Sequence, residues 1–250
     1  MRIVGIEVDI LKRDQLHSGI SKAIEERRQR LFFHVNARLI ALAETTHPEL
    51  KPLMASGDVS AFCDGSIVQV YASLAREPVP EKLGFNIWLW DFFEFAQEQE
   101  LRVFFLGSAP EVLVKLEKVL SVAYPSLTVG GSHHGYFDHD DPAAIDEVIR
   151  QVNDARPDVL FVAFGMPSQE LWIARYADQV DAMAILPCGG AFDFVSGSVP
   201  VAPRWVRRIG MEWLFRSLCE PRRLLARNLQ DVSRAALVLT RDLVRTRWRM

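Results

Sequence analysis

The 250-residue chain is 49% hydrophobic and 24% charged, a composition typical of a globular protein that excludes an intrinsically disordered one. Its net charge of −3 conceals a division, because residues 201–250 contain twelve arginines, no lysine and four acidic residues, so they carry +8 and the first 200 residues carry −11. Cys63, Cys188 and Cys219 form no CxxC pair, which indicates neither a disulfide framework nor a zinc site and suits a reducing cytosol.

The chain opens with MRIVGIEVDILKRD, a short apolar run interrupted by Glu7 and Asp9. This stretch is too polar for the hydrophobic region of a signal peptide. No segment approaches the roughly 18 apolar residues of a membrane span. We therefore expect any contact with a membrane to be peripheral, at the membrane surface.

From residue 30 onward, short β-branched or aromatic runs alternate with longer helical patterns. The predicted strands are RLFFHVN, DVSAFCDG, LRVFFLGS, LTVGGSHHG, DVLFVAFGMP and AMAILPCGG. The predicted helices between them are ARLIALAETT, SIVQVYASLA, NIWLWDFFEFAQEQE, PEVLVKLEKVLSVAYP, PAAIDEVIRQVNDARP and SQELWIARYADQV. This alternation predicts an α/β fold with a mainly parallel sheet and flanking helices.

In such folds, ligands bind outside the carboxyl ends of the strands. The predicted strands end in small or polar residues, at His34-Val35-Asn36, Asp64-Gly65, Gly107-Ser108, Gly165-Met166-Pro167-Ser168-Gln169 and Gly189-Gly190. The sheet pattern ends near Gly197, where Pro200 and Pro203 interrupt it. We therefore expect a core domain over residues 1–199 and a C-terminal appendage over residues 200–250.

Two aspartates are candidates for acid–base chemistry. Asp64 follows an apolar run and precedes a glycine, a position suited to a general base whose pKa is raised by partial burial. The alternative is an aspartate that caps a helix or stabilises a turn. Asp193, in GGAFDF, has the same two interpretations.

The segment GMPSQE combines Gly165, for a tight turn, with Gln169 and Glu170 at the start of a helix. Free amides at a helix N-terminus bind a phosphate or a sugar hydroxyl. The alternative is a helix-capping box with Ser168 as the cap.

Neither a metal ion nor a cofactor is expected. His133 and His134 are adjacent, and neighbouring residues of a strand point to opposite faces, so they would not share one ion. The sequence contains no GxGxxG, Walker lysine motif, GxSxG or HExxH, which argues against the commonest dinucleotide-binding, NTPase, esterase and metalloprotease classes.

Residues 222–249 follow a helical pattern with two distinct faces. The apolar stripe consists of Leu225, Leu229, Val232, Ala236, Leu239 and Leu243. The nearly opposite face carries Arg223, Arg227, Arg234, Arg241 and Arg245. Trp248, near the end, suits a boundary between polar and apolar surroundings.

Three interpretations of this tail remain open. It is a helix packed on the sheet domain with a solvated arginine face, a helix lying on an anionic membrane, or a nucleic-acid-binding helix. The acidic body and the lack of a nucleic-acid-binding motif argue against nucleic acid, and the membrane interpretation is favoured.

Several blocks resemble the WecG/TagA/CpsF glycosyltransferase family over about residues 30 to 230. They are PDVLFVAFGMPSQELWIARY, CGGAFDFVSGSVPVAPRWVRRIGMEWLFRSLCEPRRL, VFFLGSAPEVLVKLEKVL with YPSLTVGGSHHGYF, and Asn36 with Asp64-Gly65. The resemblance implies a Rossmann-like domain followed by an appendage that binds the membrane and helps complete the active site. It also implies an inverting, metal-independent enzyme on the cytoplasmic face of the plasma membrane. Such an enzyme moves a sugar from a UDP-sugar donor to a polyprenyl-diphosphate-linked saccharide.

The resemblance also implies roles for individual residues. Asp64 corresponds to the general base, Asn36 and Gln169 to polar residues near the sugar, and Arg216 and Arg223 to partners of the donor diphosphate. This agrees with the chemistry, since an inverting transfer needs one carboxylate to take the acceptor proton. Without a metal, arginines must hold the charge of the departing diphosphate. The further predicted substrate contacts are His34, Gly65, Gly107, Glu170, Gly190 and Asp193.

The chain departs from the family pattern mainly on the predicted sugar side. Where family members usually have T-x-N, this chain has His34-Val35-Asn36, and where they have D-G-x-G, it has Asp64-Gly65-Ser66-Ile67. Residues 81–86 stand in place of a V-x-G-x-D stretch, and Val201-Ala202-Pro203 stands in place of R-A-P. The donor is therefore left open between UDP-N-acetylmannosamine, its uronic acid and UDP-glucose. An inactive membrane-bound scaffold for polysaccharide assembly is the alternative function, and association of identical subunits is left open.

Overall fold

The computed structural model describes residues 1–77 and 83–247. The strands, in chain order, are β1 Arg2–Ile3, β2 Ile6–Glu7, β3 Arg30–Val35, β4 Val59–Cys63, β5 Arg102–Gly107, β6 Thr128–His133, β7 Val159–Ala163 and β8 Ala184–Pro187. The α-helices are α1 Arg13–Glu25, α2 Ala37–Thr45, α3 Leu50–Met54, α4 Ser66–Leu74, α5 Phe85–Glu98, α6 Pro110–Ala123, α7 Pro142–Ala155, α8 Ser168–Tyr176, α9 Ala191–Val195, α10 Arg204–Arg208, α11 Glu212–Cys219 and α12 Ala226–Arg247. A 3₁₀ turn spans Ala177–Gln179, and a π-helical turn spans Pro221–Leu225 directly before α12.

Six strands form one sheet in the order β4-β3-β8-β7-β5-β6. The pairs β3/β8, β8/β7, β7/β5 and β5/β6 are parallel, while β1 and β2 form a separate antiparallel hairpin. The predicted α/β fold, with a mainly parallel Rossmann-like sheet and flanking helices, is confirmed. Each of the six predicted strands is present.

The central strands are buried on both faces, as parallel strands covered by helices must be. Every residue of β7 is buried, and so is every residue of β5 after Arg102. Phe105 of β5 lies opposite Phe161 of β7, with their ring centroids 6.1 Å apart. Phe192 of α9 meets Phe105 edge-on at a centroid distance of 5.2 Å. Aromatic packing of this kind fixes α9 against the sheet.

The chain divides into two compact units, each made of separate segments. The first unit contains Met1–Lys12, Phe33–Gly84 and Pro200–Met250. The second contains Arg13–Phe32 and Phe85–Val199. Residues 200–250 therefore pack in the same unit as the end of β3, β4 and α4. The division into a core domain, 1–199, and an appendage, 200–250, stays a prediction.

In the first unit, the acidic side chains of α12 hold it against α2 and α4. Arg38 of α2 forms an ion pair with Asp231 at 2.5 Å. Tyr71 of α4 donates a hydrogen bond of 2.5 Å to Asp242. Leu224, Ala235 and Leu239 of the C-terminal segment are also buried. The tail is therefore attached by buried apolar groups and by two carboxylates that have partners.

The predicted apolar stripe of the tail is not one continuous face. Leu239 is buried, but Leu229 and Ala236 are exposed. The predicted arginine face is exposed at Arg227, Arg234, Arg241 and Arg245. The packed face differs from the stripe because Asp231 and Asp242 find partners on α2 and α4. Trp248 lies outside the described residues, and none of the described helices is long and apolar enough to span a membrane.

Candidate active site

The Asp64 loop lies where β4 ends and α4 begins. The backbone N–H of Asp64 donates to the carbonyl of Val35 at the end of β3, at 2.9 Å. Gly65, with φ of +86°, is the N-cap of α4 and makes no side-chain capping bond. The N-cap position of α4 therefore belongs to Gly65 and not to Asp64, while the interpretation of Asp64 as an aspartate that stabilises a turn stays a prediction. Asp64 is half-buried at the carboxyl end of a strand, where ligands bind in this fold class.

Asn36 lies beside this loop. It is the N-cap of α2, and its Oδ1 accepts a hydrogen bond of 3.1 Å from the Leu39 amide. A Cβ placed on Gly65 would lie 3.9 Å from the Asn36 Cβ. The carboxyl ends of β3 and β4 thus bring Asn36 and Gly65 together.

His34 lies two residues before Asn36, within β3. Its side chain is buried, with its ring centroid 6.5 Å from that of Phe62 in β4. The predicted contact of His34 with substrate stays a prediction.

The thiol of Cys63 stays protonated at neutral pH. Burial, and secondly the negative charge of neighbouring Asp64, raise the pKa of Cys63 to about 12. A thiol that stays protonated is a poor nucleophile. Cys63 is therefore not a candidate nucleophile.

The predicted diphosphate partners lie in the C-terminal segment of the same unit. Arg216, in α11, is only 13% exposed, and its Nη2 lies 2.7 Å from Glu220 Oε1. Asn228 of α12 donates a 2.9 Å hydrogen bond to the buried Ser217 hydroxyl, which ties α11 to α12. The backbone of Arg223 lies in the π-helical turn, but its side chain is outside the described part of the structure.

In the second unit, Gln169 joins the loops that follow β7 and β8. Gln169 and Glu170 are both 0% exposed. The Gln169 Oε1 accepts hydrogen bonds from the Gly165 amide at 3.1 Å and from the Gly189 amide at 2.9 Å. The Gln169 Nε2 donates to Glu170 Oε1 at 2.8 Å. Gln169 thus fixes two strand ends, and its contact with a sugar stays a prediction.

The remaining predicted residues of this unit also lie at strand ends. A Cβ on Gly107, which has φ of +113°, would lie 2.6 Å from the Ala163 carbonyl carbon, so only glycine allows this approach of β5 to β7. Gly190 precedes α9 and Asp193 lies within its first turn. Burial, then Asp193, then Glu170, raise the pKa of Cys188, which indicates that both carboxylates lie near that thiol.

Two sequence interpretations need correction. The N-cap of α8 is Pro167, without a side-chain bond, so Ser168 does not form the proposed capping box. The rings of His133 and His134 lie 4.7 Å apart rather than on opposite faces, because β6 ends at His133. Burial, and secondly the charge of His134, lower the pKa of His133. Over residues 1–77 and 83–247, no group of three or more His, Cys, Asp or Glu residues is arranged to hold a metal.

We expect Gln169→Leu to lower the free energy of unfolding by about 2–5 kcal/mol, since each polar group left unsatisfied costs about 1–3 kcal/mol. The substitution removes the acceptor of the Gly165 and Gly189 amides and a partner of Glu170. Urea denaturation measures the change. Gln99→Leu, at an exposed position after α5, is the control and should shift stability by less than about 0.5 kcal/mol. Equal stability of the two variants would contradict a structural role for the Gln169 amide.

A mainly parallel sheet of six strands with flanking helices defines a Rossmann-like α/β protein. Comparison with known proteins makes the assignment narrower. The glycosyl transferase WecG/TagA/CpsF family matches residues 1–249, and the chain belongs to this family. It is therefore a glycosyltransferase.

Curated relatives agree with this assignment. The chain is similar to the N-acetylglucosaminyldiphosphoundecaprenol N-acetyl-beta-D-mannosaminyltransferase of Staphylococcus aureus strain NCTC 8325 / PS 47. The two are 25% identical over 224 residues, which is 89% of this chain and 85% of the relative. The enzyme of the same name from strain COL is equally similar.

Proposed function

We propose that this glycosyltransferase moves a sugar from a UDP-sugar to a saccharide carried on a polyprenyl diphosphate, with inversion at the anomeric carbon. The observation that carries the proposal is the position of Asp64. Asp64 directly follows β4, and Gly65 after it lies beside Asn36, in the compact unit that also contains Arg216. One carboxylate and one partly buried arginine are groups suited to a single displacement.

In the proposed reaction, Asp64 takes the proton of the acceptor hydroxyl as that oxygen forms its bond to the anomeric carbon of the donor. The bond between the anomeric carbon and the donor diphosphate breaks on the opposite face. Its electron pair leaves with the UDP. The configuration inverts because attack and departure occur on opposite sides in one step.

Arg216 would stabilise the negative charge that develops on the leaving diphosphate. A guanidinium binds phosphate oxygens through two parallel N–H donors, which a single ammonium cannot do. Its low exposure strengthens such an interaction, because less water screens the charge. The pair with Glu220 orients the guanidinium from the end of α11. We propose that Arg223, seven residues later, contributes a second cation.

The relatives in Staphylococcus aureus are named for transfer of N-acetyl-beta-D-mannosamine to N-acetylglucosaminyldiphosphoundecaprenol. We therefore propose UDP-N-acetylmannosamine as the first donor to test, with its uronic acid and UDP-glucose next. His34 and Ile67 replace residues of the family pattern near Asn36 and Asp64, which is why the panel extends beyond one sugar.

The experiment incubates the protein with each UDP-sugar and a short-chain lipid diphosphate carrying N-acetylglucosamine, with mass spectrometry of the product. Excess EDTA is present in a parallel series, because arginine-based stabilisation of the leaving group predicts turnover without a divalent metal. Activity that is lost in EDTA and restored by magnesium would contradict the role given to Arg216. Absence of turnover with every donor, together with retained binding to vesicles, would favour the inactive scaffold instead.

We also propose that the C-terminal segment rests on the anionic inner surface of the plasma membrane. Trp205 of α10 and Ile209, which directly follows that helix, are 67% and 63% exposed, and the exposed Arg204 and Arg208 lie beside them in sequence. Leu218, Leu229, Leu237 and Val244 add exposed apolar groups on α11 and α12. Apolar and aromatic side chains enter the interface, while neighbouring arginines interact with anionic headgroups.

We expect Trp205→Ala combined with Ile209→Ala to weaken binding to phosphatidylglycerol vesicles by roughly 10-fold or more. Each side chain contributes about 1.5–3 kcal/mol when buried from water. Co-sedimentation measures binding, and raising the salt concentration should weaken it, because charges are screened over about 10 Å at 0.1 M. Point variants are preferable to deletion of α12, whose Asp231 and Asp242 hold it in the fold.

The matched control is Val114→Ala combined with Val122→Ala on α6 of the other unit. These valines are 68% and 80% exposed, so they test whether any exposed apolar pair has the same effect. Equal loss of binding in both double variants, or none in either, would contradict a membrane surface centred on α10.

A further inference from the structure

Gly210 closes α10 in a geometry that requires glycine. Its amide donates to the Arg207 carbonyl at 3.2 Å, and the Met211 amide donates to the Val206 carbonyl at 3.1 Å. This pair of bonds is the Schellman arrangement, in which the residue after the helix adopts a left-handed conformation. The φ angle of Gly210 is +73°, and glycine adopts such an angle without steric cost.

Gly210 also lies against Ser66, the first residue of α4, with no space between them for a side chain. A Cβ on Gly210 would lie 2.5 Å from the Ser66 Oγ and 2.6 Å from the Ser66 Cβ. The hydroxyl can rotate away, but the Ser66 Cβ is fixed to the backbone. The helix cap does not by itself demand this contact, since Gly5 and Gly197 have φ of +86° and +71° with nothing within 4 Å.

The contact lies directly after the Asp64 loop along the chain, at the first residue of α4. On one side, the Asp64 amide is bound to the Val35 carbonyl of β3. On the other, Gly65 leads directly into Ser66, and Ser66 is covered by Gly210. The backbone that carries Asp64 is therefore held between a hydrogen bond to the sheet and a steric contact with the C-terminal segment.

We propose that Gly210 is a positioning residue, which sets the place of the Asp64 carboxylate through its contact with Ser66. This inference rests on the proposed function of Asp64 as general base. A methyl group at Gly210 must push the Ser66 backbone away by about 1 Å to reach an ordinary carbon–carbon separation of about 3.5 Å. A displacement of about 1 Å in a catalytic arrangement lowers a rate by up to about 10²-fold.

The test compares Gly210→Ala with Gly197→Ala, which imposes a methyl group at nearly the same φ but meets no neighbour. Both variants should lose thermal stability because alanine is strained at this φ, and Gly210→Ala should lose more because it also clashes with Ser66. Gly210→Ala alone should lower kcat by about 10- to 100-fold, with little change in the KM for the UDP-sugar. Adding Ser66→Gly to Gly210→Ala removes the opposing Cβ and should recover much of the lost kcat.

Equal kcat in the two alanine variants, or no recovery on adding Ser66→Gly, would overturn the proposal. If Gly210→Ala does not fold, Ser66→Thr enlarges the other side of the same contact without demanding a left-handed alanine, and it should lower kcat in the same way. Normal kcat in that variant would also count against Gly210 as a positioning residue.

Failure of the proposed function gives a different result, because the wild-type protein would then show no transfer at all. If no transfer is found, the effect of the Gly210–Ser66 contact is measured instead by hydrogen exchange of the backbone amides of residues 64–66. These amides should exchange faster in Gly210→Ala than in Gly197→Ala. Unchanged exchange would show that Gly210 does not hold the loop.

Discussion

Replacing Asp64 with asparagine is expected to lower the turnover of this glycosyltransferase by roughly 10²-fold or more, the range for loss of a general base. Asparagine has nearly the same shape but cannot accept the proton of the acceptor hydroxyl at neutral pH. The fold should remain intact, because the bond from the Asp64 position to Val35 is made by the backbone amide. Turnover with the preferred UDP-sugar and the short-chain lipid acceptor provides the measurement, with circular dichroism as the test of folding.

The control for this variant is Asp58→Asn, an exposed aspartate that precedes the other end of β4. It changes the same charge by the same chemistry at a place away from the carboxyl ends of the strands, so turnover should be unchanged. Near-normal turnover of Asp64→Asn would remove Asp64 from the mechanism. The leaving-group role of Arg216 would then need to be tested separately.

Replacing Arg216 with alanine is the change with the second large expected effect, a loss of about 10²–10³-fold in kcat, as for removal of one electrostatic contact to a developing charge. Arg216→Lys should recover only part of this loss, because an ammonium lacks the planar pair of donors that binds two phosphate oxygens. Steady-state kinetics with a soluble acceptor keep the measurement independent of membrane binding.

Arg150→Ala is the matched control for charge, since Arg150 is an exposed arginine of α7 paired with Glu147 and Asp154. It should leave kcat unchanged. Arg216→Ala also breaks the ion pair with Glu220, so its thermal stability is measured alongside. A variant that loses stability but keeps the wild-type kcat would mean that Arg216 supports α11 and does not contact the diphosphate.

The sheet strands were predictable because their residues carry local signals. β5 and β7 read as continuous apolar runs, which is the pattern of parallel strands buried on both faces. The hairpin of β1 and β2 was missed because two-residue strands leave no periodicity to detect. α1 was missed although Leu16, Ile20 and Ala23 recur at helical spacing and are buried; that spacing was the available signal.

The orientation of α12 was not predictable from its own residues. Its apolar stripe indicated one face, whereas the face that packs contains Asp231 and Asp242 beside Ala235 and Leu239. Hydrophobic periodicity treats these aspartates as solvent-facing. They lie inward because Arg38 and Tyr71, which precede them by 193 and 171 residues, supply their partners.

The sequence by itself determined which residues follow the strands, including Asn36, Asp64 and Gly189, because a strand end is encoded by the few residues around it. Only the tertiary structure decided which of these ends are joined and which contacts hold them. It bonds Gln169 to the amides of Gly165 and Gly189, and it sets Gly210 against Ser66 without room for a methyl group. Such contacts join segments that are distant in sequence, and their distances are set by close packing of the folded chain, which no local pattern of residues records.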